Sequence, residues 1–251
     1  LIASNLKISA VSYLNTKPFL YGLSNSDLYN ELTISLDIPS VCASKLINAE
    51  VDLGLVPVAT IPLVKNAEII SDYCIAAVGA VKTVCIYSEK PLEQLKFIYL
   101  DYQSRSSVLL TKILFEKYFN LNPVFLNAGI DYIQNIKSET GGLVIGDRAI
   151  GMVNRFPFVY DLSEAWYNMT GLPFVFAVWV ANKHLGDEFN ARFNTALRNG
   201  ISQAESVAGN YQSLYPDFNV LDYYTRYLSF TMDENKKKGL ALFLNLSQKF
   251  M

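Results

Sequence analysis

The chain has 251 residues, 51% apolar and 18% charged, with a formal net charge of −2. That apolar share argues against a disordered polymer, and nothing in the near-neutral balance suggests a basic face for nucleic acid. The longest apolar run, residues 172–181, falls short of the roughly 18–20 residues that span a bilayer, so no membrane partner is expected.

The length accommodates two lobes of about 100–130 residues each. The first predicted strand, residues 6–11, meets the polar loop Ser12-Tyr13-Leu14-Asn15-Thr16, and Lys17-Pro18 then opens a helix over 17–23. Residues 31–38 alternate as a strand, Pro39-Ser40 starts a helix that runs through Leu46 and Ile47, and residues 52–56 form a short buried strand. This βαβα rhythm implies a mainly parallel sheet. Strands over 67–71 and 74–88 follow, with Gly79 as a bend in the second. Near residues 89–92 the plan restarts: strand 97–100, helix 106–118, strand 123–126, a helix around 131–136, and an apolar strand 143–145 after Gly141-Gly142. Residues 172–181 are apolar on both faces, as a central crossing strand would be. A helical tail follows over 187–206, 221–227 and 233–250, with no strand-rich block beside it to cover. The economical arrangement is a discontinuous first lobe, residues 1–90 plus 178–251, an inserted second lobe, 91–177, and a ligand cleft between them.

Three loops could carry chemistry at the carboxyl ends of strands, where ligands of open α/β sheets bind. The first holds Tyr13, Asn15 and Lys17, though Asn15 and Thr16 also suit simple helix capping. The second, Asp101-Tyr-Gln-Ser-Arg-Ser-Ser107, leads into a helix N-terminus whose free amides suit a carboxylate or phosphate. Ser104, Ser106 and Ser107 add hydroxyls there and Arg105 a bidentate cation; an Ser cap with an exposed Arg is the plainer alternative. The third is Gly146-Asp147-Arg148, where Asp147 either faces the cleft or caps a turn. Ser40 repeats the helix-start arrangement more weakly, and of Lys82-Thr83 the Thr83 hydroxyl is the inward candidate. Trp166 and Tyr167 read as core. The single histidine, His184, argues against a His-based triad or a multi-His zinc site, so no metal is expected. There is no Walker loop, no GxGxxG after the first strand and no GxSxG. Cys42, Cys74 and Cys85 form an odd set without CxxC spacing, and with no visible secretion leader they suggest buried thiols in a reducing, cytoplasmic setting; a processed segment ahead of Leu1 stays open.

Six stretches together resemble the menaquinone-biosynthesis family of the futalosine route, in its chorismate dehydratase branch: residues 8–19 (ISAVSYLNTKPF), 50–59 (EVDLGLVPVA), 79–88 (GAVKTVCIYS), 104–110 (SRSSVLL), 143–150 (LVIGDRAI) and 160–182, which contains TGLPFVFAVW. The resemblance implies an α/β, two-lobed fold of the periplasmic-binding-protein type II kind, each lobe a mainly parallel sheet flanked by helices. It implies a lyase that converts chorismate to 3-[(1-carboxyvinyl)oxy]benzoate and water without a cofactor. Asn15 and Thr83 fall on the catalytic positions, Thr83 standing where relatives carry Ser. Tyr13, Lys17, Ser40, Ser104, Arg105, Ser106, Ser107 and Asp147 are the implied substrate-binding set. Arg148 stands where a small residue is expected and is assigned an ion pair at the cleft rim. Two alternatives remain: a non-catalytic solute-binding protein for a small organic anion, which would carry an export signal, and the related dihydroxynaphthoate synthase, disfavoured by the Tyr-Leu-Asn-Thr-Lys-Pro loop and the lack of a cleft histidine. The oligomeric state has no signature in the sequence.

Overall fold

The computed structural model describes residues 5–152 and 154–250. Its strands and helices run in the order β1 (Leu6–Val11), α1 (Lys17–Ser24), β2 (Leu32–Asp37), α2 (Pro39–Ile47), β3 (Leu53–Pro57), β4 (Glu68–Ala77), β5 (Val84–Ser88), β6 (Phe97–Leu100), α3 (Ser106–Leu114), β7 (Val124–Asn127), β8 (Thr140–Ile145), α4 (Asp147–Ile150), β9 (Phe158–Asp161), α5 (Leu162–Thr170), β10 (Phe174–Ala181), α6 (Asp187–Ser202), α7 (Ala204–Gln212), α8 (Val220–Asp222), β11 (Ser229–Thr231) and α9 (Glu234–Ser247). They build two sheets, one in the order β11-β4-β10-β3-β1-β2 and one in the order β7-β6-β8-β5-β9.

Parallel pairing, as the βαβα rhythm requires, joins β1 to β2 and β3, and β6 to β7 and β8. The remaining five pairs are antiparallel, so both sheets are mixed and not mainly parallel as the βαβα rhythm led one to expect. The antiparallel strands are those that enter or leave a lobe: β10 lies between β3 and β4, and β5 between β8 and β9. A strand that returns from the other lobe arrives without a crossover helix of its own, and it pairs in the opposite sense.

This strand membership moves the crossings away from the expected 90/91 and 177/178. All of β5 is bonded into the second sheet, and β10 is bonded along its length into the first. The chain therefore crosses at residues 78–83 and returns between α5 and β10. The apolar run over residues 74–88 hides the first crossing, because β4 ends at Ala77 and β5 begins at Val84 with similar composition on either side. Ala77 pairs with Phe174, which sets the start of β10 beside the end of β4.

The tail packs mainly on the first sheet. At the crossing of α1 and α6, Gly22 and Gly200 face one another, and a Cβ on either would fall against a carbonyl oxygen of the opposite helix, from Ala196 or Pro18. Trp179, Phe19, Phe193 and Phe230 form an aromatic core beneath these helices, with ring centroids 5.1–6.0 Å apart in edge and tilted contacts. Trp166, Phe174 and Phe243 do the same under α5 and α9. Strands β11 and β9, each only three or four residues long, escaped the sequence pattern, as did helices α4 and α5. The expected helix around 131–136 is a single 3-10 turn, Tyr132–Asn135. Among the described residues no helix is long and apolar enough to cross a membrane.

Candidate functional site

Between the two sheets lies a cleft with about 550 Å³ of atom-free space, part of it open to solvent. Apolar groups make most of its wall: Val11 and Pro57 at the ends of β1 and β3, Ile75 and Phe176 from β4 and β10, and Ile145 from β8. The polar groups are few. Tyr13 and Asn15 come from the loop after β1, Thr83 from the end of the first crossing, and Ser104, Ser106 and Ser107 from the start of α3. A predominantly apolar hollow with a handful of convergent polar groups is the usual form of a small-ligand site.

The loop carrying Asn15 is tied down on several sides. The Leu14 amide donates to Asp147 Oδ1 at 2.9 Å, the Tyr224 hydroxyl donates to the Leu14 carbonyl at 3.0 Å, and the Ser12 amide donates to the Asp37 carbonyl at 2.9 Å. Tyr13 Oη donates to Gln103 Oε1 of the second lobe. Thr16 Oγ1 donates to Asn15 Oδ1 at 3.1 Å, which fixes the plane of the carboxamide. Asn15 is thus held by its neighbours rather than by a cap of its own, since the helix that follows shows no side-chain cap.

The start of α3 is anchored from below by Asp101, a fully buried carboxylate. It accepts from the Gln103 amide at 2.9 Å, the Ile145 amide and the Tyr132 hydroxyl at 3.0 Å, and Arg148 Nη2 at 2.6 Å. Arg148 lies over the rings of Tyr102 and Tyr132, at 5.2 and 6.0 Å. Its neighbour across the chain is therefore Asp101 and not Asp147. Above this anchor, Ser104 Oγ accepts from the Ser107 amide at 2.9 Å, and Ser106 Oγ accepts from the Ala59 amide of the first lobe at 3.1 Å. In both cases the hydroxyl oxygen is the acceptor, so its hydrogen is free to be donated into the cleft. Together with the unpaired amides of a helix start, two such hydroxyls suit an anion.

Several lobe-to-lobe contacts close around this space: Ala59 to Ser106, Leu14 to Asp147, Tyr13 to Gln103, and the Ser40 amide to the Gln103 carbonyl at 3.1 Å. Gly146 makes the close approach possible. Its φ of 63° and ψ of −147° belong to a region that is essentially glycine's alone, and a Cβ there would lie under 3 Å from the Tyr13 ring.

Six of the ten expected residues meet at the cleft: Tyr13, Asn15, Thr83, Ser104, Ser106 and Ser107. The other four lie outside its wall. Lys17 turns its ammonium over the Tyr211 ring, 5.5 Å from the centroid. Ser40 contributes its backbone amide to the lobe contact with Gln103, while its carbonyl accepts from Ser44 Oγ. Arg105 reaches back to α2 and donates to Ser44 Oγ at 3.3 Å. Asp147 is engaged by the Leu14 amide and by Tyr215 Oη at 3.1 Å. Polarity marked these positions, but their side-chain directions are set by tertiary partners that no local pattern reveals.

Burial governs the titration of the polar wall. It pushes the Tyr13 phenol well above its usual range, with the charge of Asp101 adding to the effect. It likewise raises the Asp147 carboxyl, and lowers the Lys17 ammonium. Tyr223 was not foreseen; it is buried behind Thr83 and its phenol is also raised by desolvation. Among the described residues no group of three or more His, Cys, Asp or Glu side chains is arranged to hold a metal. His184 is exposed on the first lobe beside Glu68.

A family model described as menaquinone biosynthesis matches residues 6–249. Among curated proteins, the chorismate dehydratase of Thermus thermophilus is 29% identical over 168 residues, which cover 57% of this chain and 58% of that relative's length. Of solved structures, a protein from Archaeoglobus fulgidus superposes with a TM-score of 0.78 at 17% identity, covering 100% of this chain and 99% of that one. An ABC transporter structure from Parabacteroides distasonis gives 0.63 at 15% identity, covering 98% and 93%. A Candida albicans protein with the generic periplasmic binding protein fold gives 0.63 at 13%, covering 98% and 90%. At these identities the structural likenesses establish the fold, that of periplasmic binding proteins.

Proposed function

The chain belongs to the menaquinone-biosynthesis family, and from that premise we propose that it is a chorismate dehydratase, a hydro-lyase forming 3-[(1-carboxyvinyl)oxy]benzoate and water. The observation that carries this reading is the pairing, across one apolar cleft, of Asn15 and Thr83 with the hydroxyl-rich start of α3.

Chorismate is a cyclohexadiene with two carboxylates. The ring carboxylate fits the start of α3, against Ser104, Ser106 and Ser107, where helix amides and hydroxyl hydrogens meet a negative charge. The ring then lies among Val11, Ile145 and Phe176, which keep water from it. The C3 hydrogen is vinylogous to that carboxylate. Its removal sends the C3–H electron pair into the diene and onto the carboxylate oxygens, where the α3 donors stabilise the developing charge. Return of the pair expels the C4 hydroxyl, and the ring becomes aromatic. Substrate and products balance as the loss of one water, with no electron acceptor required.

The base comes from the substrate. Among the described residues, those lining the cleft offer hydroxyls, one carboxamide and one phenol, and no carboxylate or imidazole. Tyr13 is held neutral by burial, so its phenolate is not at hand. The enolpyruvyl carboxylate, carried on the C3 oxygen, is the nearest proton acceptor to the C3 hydrogen. Asn15 orients that group or the C4 hydroxyl, and Thr83 gives a hydrogen bond to the departing oxygen, which takes up the proton collected from C3 and leaves as water. The three buried, unpaired thiols support a cytoplasmic setting for the reaction.

Incubation of the purified protein with chorismate, followed by mass spectrometry, tests the proposal. A product lighter than chorismate by one water, formed in proportion to protein, supports it; tight binding of chorismate with no product would move the chain to the solute-binding alternative.

A further inference from the structure

The tail of the chain supplies a residue that the reaction scheme above leaves unused. Where α8 ends, the chain widens into a single π-helical turn, Tyr223–Tyr227, and the Leu228 amide donates back to the Tyr223 carbonyl at 2.9 Å. Such turns are rare and recur at functional sites. This one aims two adjacent phenols at the cleft from behind. Tyr224 donates to the Leu14 carbonyl, beside Asn15. Tyr223 Oη lies 2.8 Å from Thr83 Oγ1.

We propose that Tyr223 is a positioning residue that acts through Thr83, setting the direction of the Thr83 hydroxyl toward the leaving oxygen of the substrate. The inference rests on the dehydratase reading and deepens it. A threonine hydroxyl has one hydrogen and rotates to suit its partners. When Tyr223 donates to Thr83 Oγ1, the Thr83 hydrogen is left for the cleft, which that residue lines. Tyr223 is itself 1% exposed and packed edge-on against Phe218 at 5.2 Å, so its ring has one orientation available. Desolvation raises the phenol above its ordinary range and keeps it neutral, which suits a fixed dipole and not a proton donor or acceptor. The arrangement also explains how a threonine serves at this position. The ring contact and the hydrogen bond together leave the methyl no say in where the hydroxyl hydrogen points.

A phenylalanine at 223 would keep the ring and its packing and remove only the oxygen, so the two roles, filling space and directing Thr83, separate in one substitution. The test is a double-mutant cycle of Tyr223→Phe and Thr83→Val, with kcat, KM and melting temperature measured for wild type, both single variants and the double variant on chorismate. Tyr223→Phe is expected to lower kcat by roughly 10- to 100-fold while KM stays within about threefold. In the Thr83→Val background the same change is expected to alter kcat by less than about threefold, because Tyr223 then has no hydroxyl to direct. A merely structural phenol would lower the melting temperature equally in both backgrounds and leave kcat alone. Wild-type kcat in Tyr223→Phe, or losses that multiply in the double variant, would overturn the inference while leaving the dehydratase reading in place. Wild-type protein that gives no product would remove both.

Discussion

Ser106→Ala removes one oxygen at the point where the lobes and the proposed carboxylate site meet. In the wild-type protein Ser106 Oγ accepts from the Ala59 amide at 3.1 Å, with both residues buried, and its hydrogen is left for the ligand. Two effects follow, and they can be separated. The Ala59 amide loses its partner in the closed form, a cost of about 1–3 kcal/mol for a buried unsatisfied donor. The substrate loses one charge-assisted hydrogen bond, worth about 1.5–3 kcal/mol. The second term alone predicts a KM for chorismate raised by roughly 10- to 150-fold, since each 1.4 kcal/mol is a factor of ten. Steady-state kinetics, together with calorimetric titration of the unreactive product, reads this directly. Ser104→Ala is the comparison: it removes a cap on the Ser107 amide, about 1 kcal/mol of stability, as well as one cleft hydroxyl. If Ser106→Ala melts early but binds and turns over like wild type, the start of α3 is only a lobe contact and the carboxylate does not sit there.

Three further outcomes follow from the same geometry. Gly146→Ala must adopt a backbone conformation reserved for glycine and press a methyl into the Tyr13 ring. The strain of about 1–3 kcal/mol predicts a fall in melting temperature of several degrees, at ~2–4 °C per kcal/mol for a chain of this size, and weaker closure of the cleft; an unchanged midpoint in a calorimetric scan would contradict the close approach. Arg148→Ala leaves the fully buried Asp101 carboxylate with neutral donors only, and a denaturant titration should show a loss of about 3–5 kcal/mol; a loss below about 1 kcal/mol would mean that the pair is solvated. Burial pushes the Cys42 thiol up to about 11 and the Cys74 thiol up to about 12, and holds Cys85 well above its usual range. Native protein should therefore resist iodoacetamide at mildly alkaline pH, whereas unfolded protein takes the label on all three; rapid native labelling would place a thiolate where the packing allows none.

How much of this was legible in the residues depends on the distance over which each feature is decided. The loop carrying Asn15 and the serine-rich start of α3 were visible because strand, loop and helix start follow one another in the sequence. Thr83 was visible as the inward member of a polar pair. The crossing at residues 78–83 was not, since the apolar composition on both sides is continuous and only pairing shows that Val84 belongs to the other sheet. Arg105 and Lys17 looked like ligands because a cation near a helix start suits an anion; tertiary packing turned one toward Ser44 and the other over Tyr211. Asp101 opened the second loop without being given a role, yet four residues converge on it. Tyr223 and Tyr224 lie about 140 and 210 residues from the groups they touch, and no periodicity reaches that far.

The central claim is that one dianion bound between these two walls loses its C3 proton and its C4 hydroxyl. Proton NMR of chorismate deuterated at C3, followed in real time with the protein, tests it most directly. The account predicts loss of the diene signals matched by aromatic signals of the enol ether, with the deuterium released to solvent. Diene signals that persist, or that decay only as fast as in buffer alone, would contradict it.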